Sequence, residues 1–165
     1  MGMKWIADKE NKVRRKDREV KDIYGIRELY GSVTAAGWLF PMERAPTSFL
    51  SASDTMRRKC VLFPRGGGRK KMDLVRQIGY AGFEMDTAHG LKEADQACGY
   101  SFRYRSVVGE GPIRVVEEVE EKKKGLNCIM GHMSGKDGWA YPEAMLKRTA
   151  VLRLDVEQMS GKEQL

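Results

Sequence analysis

Long apolar runs are missing from this 165-residue chain: the longest, from Val33 to Phe40, is short and broken by Gly37. A membrane-spanning helix needs ~20 mostly apolar residues, so membrane insertion is not expected. Cysteine is scarce and odd in number. Cys60, Cys98 and Cys128 are far apart and form no CxxC, which predicts free thiols in a reducing compartment. Histidine is scarcer, with His89 and His132 alone and no HxxxH, so no metal site is expected from ligand spacing. Met1 to Ala7 lacks the apolar core of a secretory signal, and Asp8 and Glu10 come too early for an acid-poor transit peptide. An intracellular location follows as the expectation, with cytoplasm, nucleus and organelle matrix all open.

Acid is missing from one particular stretch. Between Arg57 and Lys71 stand seven basic residues (Arg57, Arg58, Lys59, Arg65, Arg69, Lys70, Lys71) and no Asp or Glu, with Gly66, Gly67 and Gly68 in the middle. The block carries as much charge as the formal net charge of the whole chain, +7, so the remainder is close to neutral. A local cationic loop wants a polyanion, because each neutralised phosphate releases counterions and glycine lets the backbone approach closely. Hydrophobic content of 41%, charged content of 32% and three Trp are globular values, and the length suits one main domain.

Along the chain, Asp8 to Glu28 is dense in charge with Val13, Val20, Ile23 and Tyr24 at roughly helical spacing, which predicts an exposed helix able to dock on a protein partner. Gly31 to Asp54 reads as irregular, around one apolar segment from Ala35 to Phe40. Cys60 to Phe63 predicts a strand. Lys70 to Ile78 predicts a helix with Met72, Val75 and Ile78 inward and Gly79 as its stop. Phe83 to Asp86 reads as a strand, Leu91 to Ala97 as a helical turn closed by Gly99, and Tyr100 to Ser106 as the clearest strand. Pro112 suits the first position of a helix over Ile113 to Lys124 that stops at Gly125, although Ile113, Val115 and Val116 would also suit a strand. Asn127 to Met133 reads as a strand before the Gly135–Gly138 turn, and Pro142 opens a last helix with Met145, Thr149, Leu152 and Val156 on one stripe, ahead of a fraying tail. The expected organisation is a charged helix and linker over 1–55, a core over 56–135, and a helix and tail over 136–165. Strand, helix, strand, strand, helix, strand is the order of an α+β, ferredoxin-like (split βαβ) sandwich, here with flanking N- and C-terminal helices.

That order, and the run Gly99, Tyr100, Ser101, Phe102, Arg103, Tyr104, resemble the RNA-recognition motif and its third-strand signature. The resemblance covers about half of the chain and implies base stacking by Tyr100 and Phe102. Cys98, Arg103 and Arg105 depart from the family pattern. Burying Arg103 under a sheet costs several kcal/mol, so the expected facing is the reverse, with Tyr100, Phe102 and Tyr104 in the core and Arg103 and Arg105 in solvent.

The functional expectation is a non-catalytic protein that binds RNA, or DNA, through its phosphates, as a subunit of a ribonucleoprotein assembly and without a cofactor. Its binding residues would be Arg57, Arg58, Lys59, Arg65, Gly66, Gly67, Gly68, Arg69, Lys70, Lys71, Arg103 and Arg105. One alternative is a metal-dependent nuclease, since Glu84 and Asp86 would share a strand face and His89 could act as a base. Another is a protein-interaction subunit docking through residues 8–30. Cys128 and His132, four apart, would converge on a helix but not on a strand.

Overall fold

The computed structural model of the chain describes residues 15–21, 35–40, 47–56, 59–63 and 69–165. Eight strands occur among them: β1 (Glu19–Val20), β2 (Ala35–Phe40), β3 (Thr47–Met56), β4 (Lys59–Phe63), β5 (Tyr80–Lys92), β6 (Ser101–Val115), β7 (Leu152–Asp155) and β8 (Gln158–Gln164). Three helices accompany them: α1 (Arg69–Ile78), α2 (Val119–Ser134) and α3 (Glu143–Arg148). The architecture is α+β, with an antiparallel sheet and few helices.

All strands join one sheet in the order β1-β8-β6-β5-β2-β3-β4-β7, and β7 pairs also with β6. That second pairing closes β6, β5, β2, β3, β4 and β7 into a six-stranded barrel, which leaves β8 and β1 as a flap. The closure depends on β6 sharing one edge between two partners. Its residues Tyr104 to Glu110 pair with β8, and Ile113 to Val115 pair with β7.

At the change of partner the chain crosses against the backbone of β6. A Cβ on Gly111 would lie 2.0 Å from the Asp155 carbonyl oxygen, and one on Gly109 would meet the Phe83 ring at 2.5 Å and the Gln158 carbonyl at 2.8 Å. Pro112 also belongs here. The Ile113 N–H donates across to the Gly79 carbonyl at 3.0 Å, so the nitrogen of Pro112 faces the opposite edge, between the two ladders, where no donor is required. A proline that suits a helix start therefore sits inside a long strand.

The core alternates along β5 and β6 as a half-buried sheet must. Ala81, Phe83 and Met85 of β5 and Val107 and Ile113 of β6 are buried with Leu152 and Leu154 of β7, and α1 adds Leu74 and Val75. Met72 and Ile78 pack against this cluster, and Gly79 ends α1 at φ 65°, as its sequence predicts. A second, smaller cluster joins Val116, Ile129 and Val151 beneath α2.

Several expectations need correction. The ferredoxin-like order fails because Asn127 to Met133 is the second half of α2, not a strand, and because β2, β3, β7 and β8 complete the sheet. Gly125 does not stop α2; it is buried within the helix. Residues 47–54, read as irregular, form most of β3, and Leu91 is strand rather than helix. The last helix ends at Arg148, and the polar tail is β8, with Met159 packed on the core and Gly161 buried. Of the expected helix over 8–28, only 15–21 is described; it is a 3-10 turn, Lys16–Arg18, and β1. Among the described residues no helix is long and apolar enough to cross a membrane.

The two crossing glycines should be intolerant for a steric reason. Gly111→Ala should destabilise the protein by more than about 3 kcal/mol, since backbone rather than a flexible side chain must move. Gly135→Ala, at a left-handed helix end with nothing within 4 Å of the new Cβ, should cost about 1 kcal/mol. Urea denaturation of the two variants measures the difference, and equal losses would remove the close crossing from the argument.

Candidate functional site

The basic block brackets β4 and enters α1. Lys59 begins β4, and Arg69, Lys70 and Lys71 form the first turn of α1, which holds no acid. Arg57, Arg58, Arg65, Gly66, Gly67 and Gly68 lie outside the described residues. This first turn is electrostatically inverted. Unpaired backbone N–H groups give a helix N-terminus partial positive charge, which favours acids there and disfavours three cations.

Arg103 and Arg105 lie on β6, at the positions that continue the buried series Val107, Gly109, Gly111 and Ile113. The expected facing fails at Tyr100, Phe102 and Arg105, whereas Arg103 is exposed as expected. Phe102 is 57% exposed and Tyr100 48% exposed, while Arg105 points to the core side with 20% of its side chain accessible. The physical reason is the length of the strand. Its C-terminal half fixes which face is inward, and towards Arg105 the apolar core gives way to Glu163 of β8, whose carboxylate pairs with the Arg105 Nε at 3.3 Å. Tyr104 is half-buried, and its hydroxyl accepts a long 3.5 Å contact from Arg18.

Glu84 and Asp86 do share a face of β5, and both are exposed. The strand is irregular just beyond, between Thr87 and Gly90, and there His89 Nε2 lies 3.1 Å from the Asp86 carboxylate. Among the described residues no three His, Cys, Asp or Glu side chains are grouped to hold a metal ion. Cys128 and His132 do share a helix, α2, so the reading that a strand keeps them apart is corrected. Neither Cys98 nor Cys128 is in a disulfide, as expected.

The strongest polar constellation was not anticipated. Arg114 of β6 and Arg153 of β7 are directly paired across the ladder that closes the barrel, where two like charges would repel. Glu121 of α2 answers both. It accepts from Arg114 Nη2 at 2.7 and 2.9 Å and from Arg153 Nη1 at 2.7 Å, and Asp155 takes the rest of the Arg153 fork at 2.7 and 3.1 Å. The Arg114 hydrogen bonds, then those of Arg153, hold the Glu121 carboxyl below its ordinary pKa. No local sequence signal links these residues, which are 7 and 32 positions apart. Where Tyr80 of β5 pairs with Pro112 of β6, burial first, and then the Glu110 and Glu157 carboxylates, push the Tyr80 phenol up to about 12, and its hydroxyl donates to Glu157 at 3.2 Å.

A barrel closed by a strand that divides its edge between two partners defines the split-barrel class. The sequence profile described as Pyridoxamine 5'-phosphate oxidase matches residues 42–163, most of the chain, and the chain belongs to that family. A comparison with curated proteins finds no match. Among solved structures, the chain is similar to a candidate 5-nitroimidazole antibiotic resistance protein from Bacteroides thetaiotaomicron, at TM-score 0.75 and 23% identity over 87% of this chain and 85% of that one. It is similar to a flavocytochrome from Azotobacter vinelandii at TM-score 0.81 and 15% identity, over 96% and 75% of the two chains. An FAD and heme binding protein from Mycobacterium smegmatis matches at TM-score 0.75 and 17% identity, over 89% and 73%.

The family overturns the expectation of a nucleic-acid-binding ribonucleoprotein subunit with RNA or DNA as partner. A physical reason accompanies it. Arg15, Arg105, Arg114 and Arg153 are each engaged by an acid, so they do not add to the basic block as a continuous cationic track. A nucleic-acid surface depends on such a track.

Glu121→Ala should cost about 2 kcal/mol, because it leaves Arg114 beside Arg153 with no acid between them. The pKa of Glu121 is depressed on folding, so its contribution is present above pH 4.5 and is lost as pH falls through the lower folded value. Chemical denaturation of wild type and Glu121→Gln at neutral pH and at acid pH should show the two converging in acid; a constant gap would exclude ionisation as the cause.

Proposed function

We propose that this chain is a flavin-binding redox protein, and that the cationic start of α1 takes the phosphate end of the flavin. The observation that carries this reading is the first turn of α1, with Arg69, Lys70 and Lys71 and no acid, in a chain of the Pyridoxamine 5'-phosphate oxidase family. A helix start carrying three cations is stabilised by an anion from outside the chain, and phosphate is the anion that helix N-termini and guanidinium forks accommodate best. Lys59 and, in sequence, Arg57, Arg58, Arg65 and the three glycines before Arg69 supply more of the same donor chemistry. The block that reads as a grip on a polyanion fits a single compact phosphoester equally well. The flavocytochrome and the FAD and heme binding protein among the similar structures point to flavin as the carrier of that phosphoester.

The residues present fit such a group in kind. Arg69, Lys70 and Lys71 would hold the phosphate, and the backbone N–H groups of the same turn, unpaired within the helix, would complete the cradle. The chemistry that a bound flavin supplies is reversible hydride and electron transfer. The chain contributes binding and a rigid floor. Leu74 and Val75, one turn beyond the cations, are buried in the main core, so the phosphate end is fixed to the barrel rather than to a loose segment.

The phosphate makes the reading testable. FMN should bind, by quenching of flavin fluorescence, at least tenfold more tightly than riboflavin, which lacks the phosphate, and Arg69→Ser with Lys70→Ser should remove about that factor for FMN alone. The absorption spectrum of the purified protein reports flavin directly, and a Soret band beside it would add haem. Equal binding of FMN and riboflavin, or no binding of either, overturns the proposal.

A further inference from the structure

Cys128 and His132 stand four residues apart on α2, and both are half-buried. In a strand they would lie about 13 Å apart. On a helix the same spacing puts them on one face, one turn apart, with about 5–6 Å between their Cβ atoms. The turn that separates them is weak. It contains Gly131, in a helix that also carries Gly125, and a glycine inside a helix costs about 1 kcal/mol relative to alanine. Nothing around Gly131 requires a glycine there: its φ is not positive, and a Cβ on it would meet nothing nearer than the Lys136 carbonyl oxygen at 3.9 Å. His132 also lies in the last turn of α2, where the helix dipole favours a cation.

We propose that Cys128 and His132 form a chelating site for a borderline-soft divalent cation, zinc, which clamps the C-terminal end of α2 across Gly131. Thiolate sulfur and imidazole nitrogen are donors that suit zinc, whereas hard cations such as Mg²⁺ take oxygen instead. Binding forms one Zn–S and one Zn–N bond; the thiol proton leaves to water, and the neutral imidazole gives up none. No third His, Cys, Asp or Glu is grouped with the pair among the described residues, so water completes the coordination. The affinity is accordingly that of a two-ligand site, on the order of micromolar, rather than that of a closed four-ligand one. Neither side chain is free in the fold, so zinc displaces or shares an existing contact, which also holds the affinity down. A metal bridging one helical turn supplies the restraint that glycine lacks, and because it binds only the folded helix it stabilises the protein by mass action.

The site shares no residue with the proposed phosphate site, and flavin content read on the same samples keeps the two apart. The full chain, stripped of metal with a chelator, should take up one equivalent of zinc in competition with a chromogenic chelator. Cadmium in its place should show the ultraviolet absorption of sulfur-to-metal charge transfer. Cys128→Ser and His132→Ala should each weaken zinc binding by at least about tenfold with far-ultraviolet circular dichroism unchanged. Cys98→Ser, on an exposed thiol elsewhere, should leave it as it is. Cys128→His sets two imidazoles at the same spacing, and it should keep zinc while losing the cadmium–sulfur absorption. Zinc should also raise the urea midpoint of the wild type and not that of His132→Ala. No uptake at micromolar zinc overturns the proposal. So does uptake indifferent to both substitutions, which marks an adventitious ion only, or a cadmium–sulfur absorption that persists in Cys128→Ser.

Discussion

The whole architecture turns on one steric allowance: the backbone of β6 is bare at Gly109 and Gly111 where two other strands meet its edge. An Asp155 carbonyl that would lie 2.0 Å from a Cβ leaves no tolerance for any side chain at Gly111. Because β7 leaves at that point, β8 can take over the remaining edge; because both are satisfied, a 15-residue strand has no long unpaired edge. Barrel closure and the placement of Pro112 both follow from where the edge is divided.

Closing a barrel in this way brings Arg114 and Arg153 face to face, and the helix that follows β6 supplies the remedy. Glu121 sits in the first turn of α2, where an acid is also favoured by the helix N-terminus, so one carboxylate serves two electrostatic needs. The same rule read at α1 gives the opposite result. α2 begins with Glu120 and Glu121, whereas α1 begins with Arg69, Lys70 and Lys71 and has no acid in its first turn. The contrast between two helices of one small protein is what the proposed phosphate site at α1 rests on.

What could be read from the sequence was what is decided locally. β4, α1 and the Gly79 stop depend on neighbours within a turn or a strand, and they stand where pattern places them. The alternation over Tyr100 to Arg105 was visible too, but not its sense. Which face is buried is set by Val107 and Ile113 further along the same strand, and by the barrel ending near Arg105, where Glu163 rather than solvent receives the guanidinium. Asn127 to Met133 misled because a short apolar run with flanking glycines fits strand and helix equally; the decision came from Ile129 packing against Val116 and Val151, a contact between distant parts of the chain. The candidate site was half legible. The basic block is plain in sequence, but whether it serves an extended polyanion or one phosphoester depends on the cations elsewhere, and their acid partners become visible only in the fold.

That dependence explains why an excess of positive charge alone misdirects. A net charge of +7 raises the concentration of any anion near the surface, whatever its shape. Selection between a strand of nucleic acid and a cofactor is geometric: the first needs cations spread along a path, the second needs them converging on one point with directed N–H donors. Here Arg105, Arg114 and Arg153 are withdrawn into ion pairs with Glu163, Glu121 and Asp155, while three cations follow one another in sequence at the start of α1, where helix N–H groups are free of intrahelical partners. Charge that is neutralised along the sheet and concentrated at one helix start is the distribution expected of a protein that holds a small phosphate-bearing molecule.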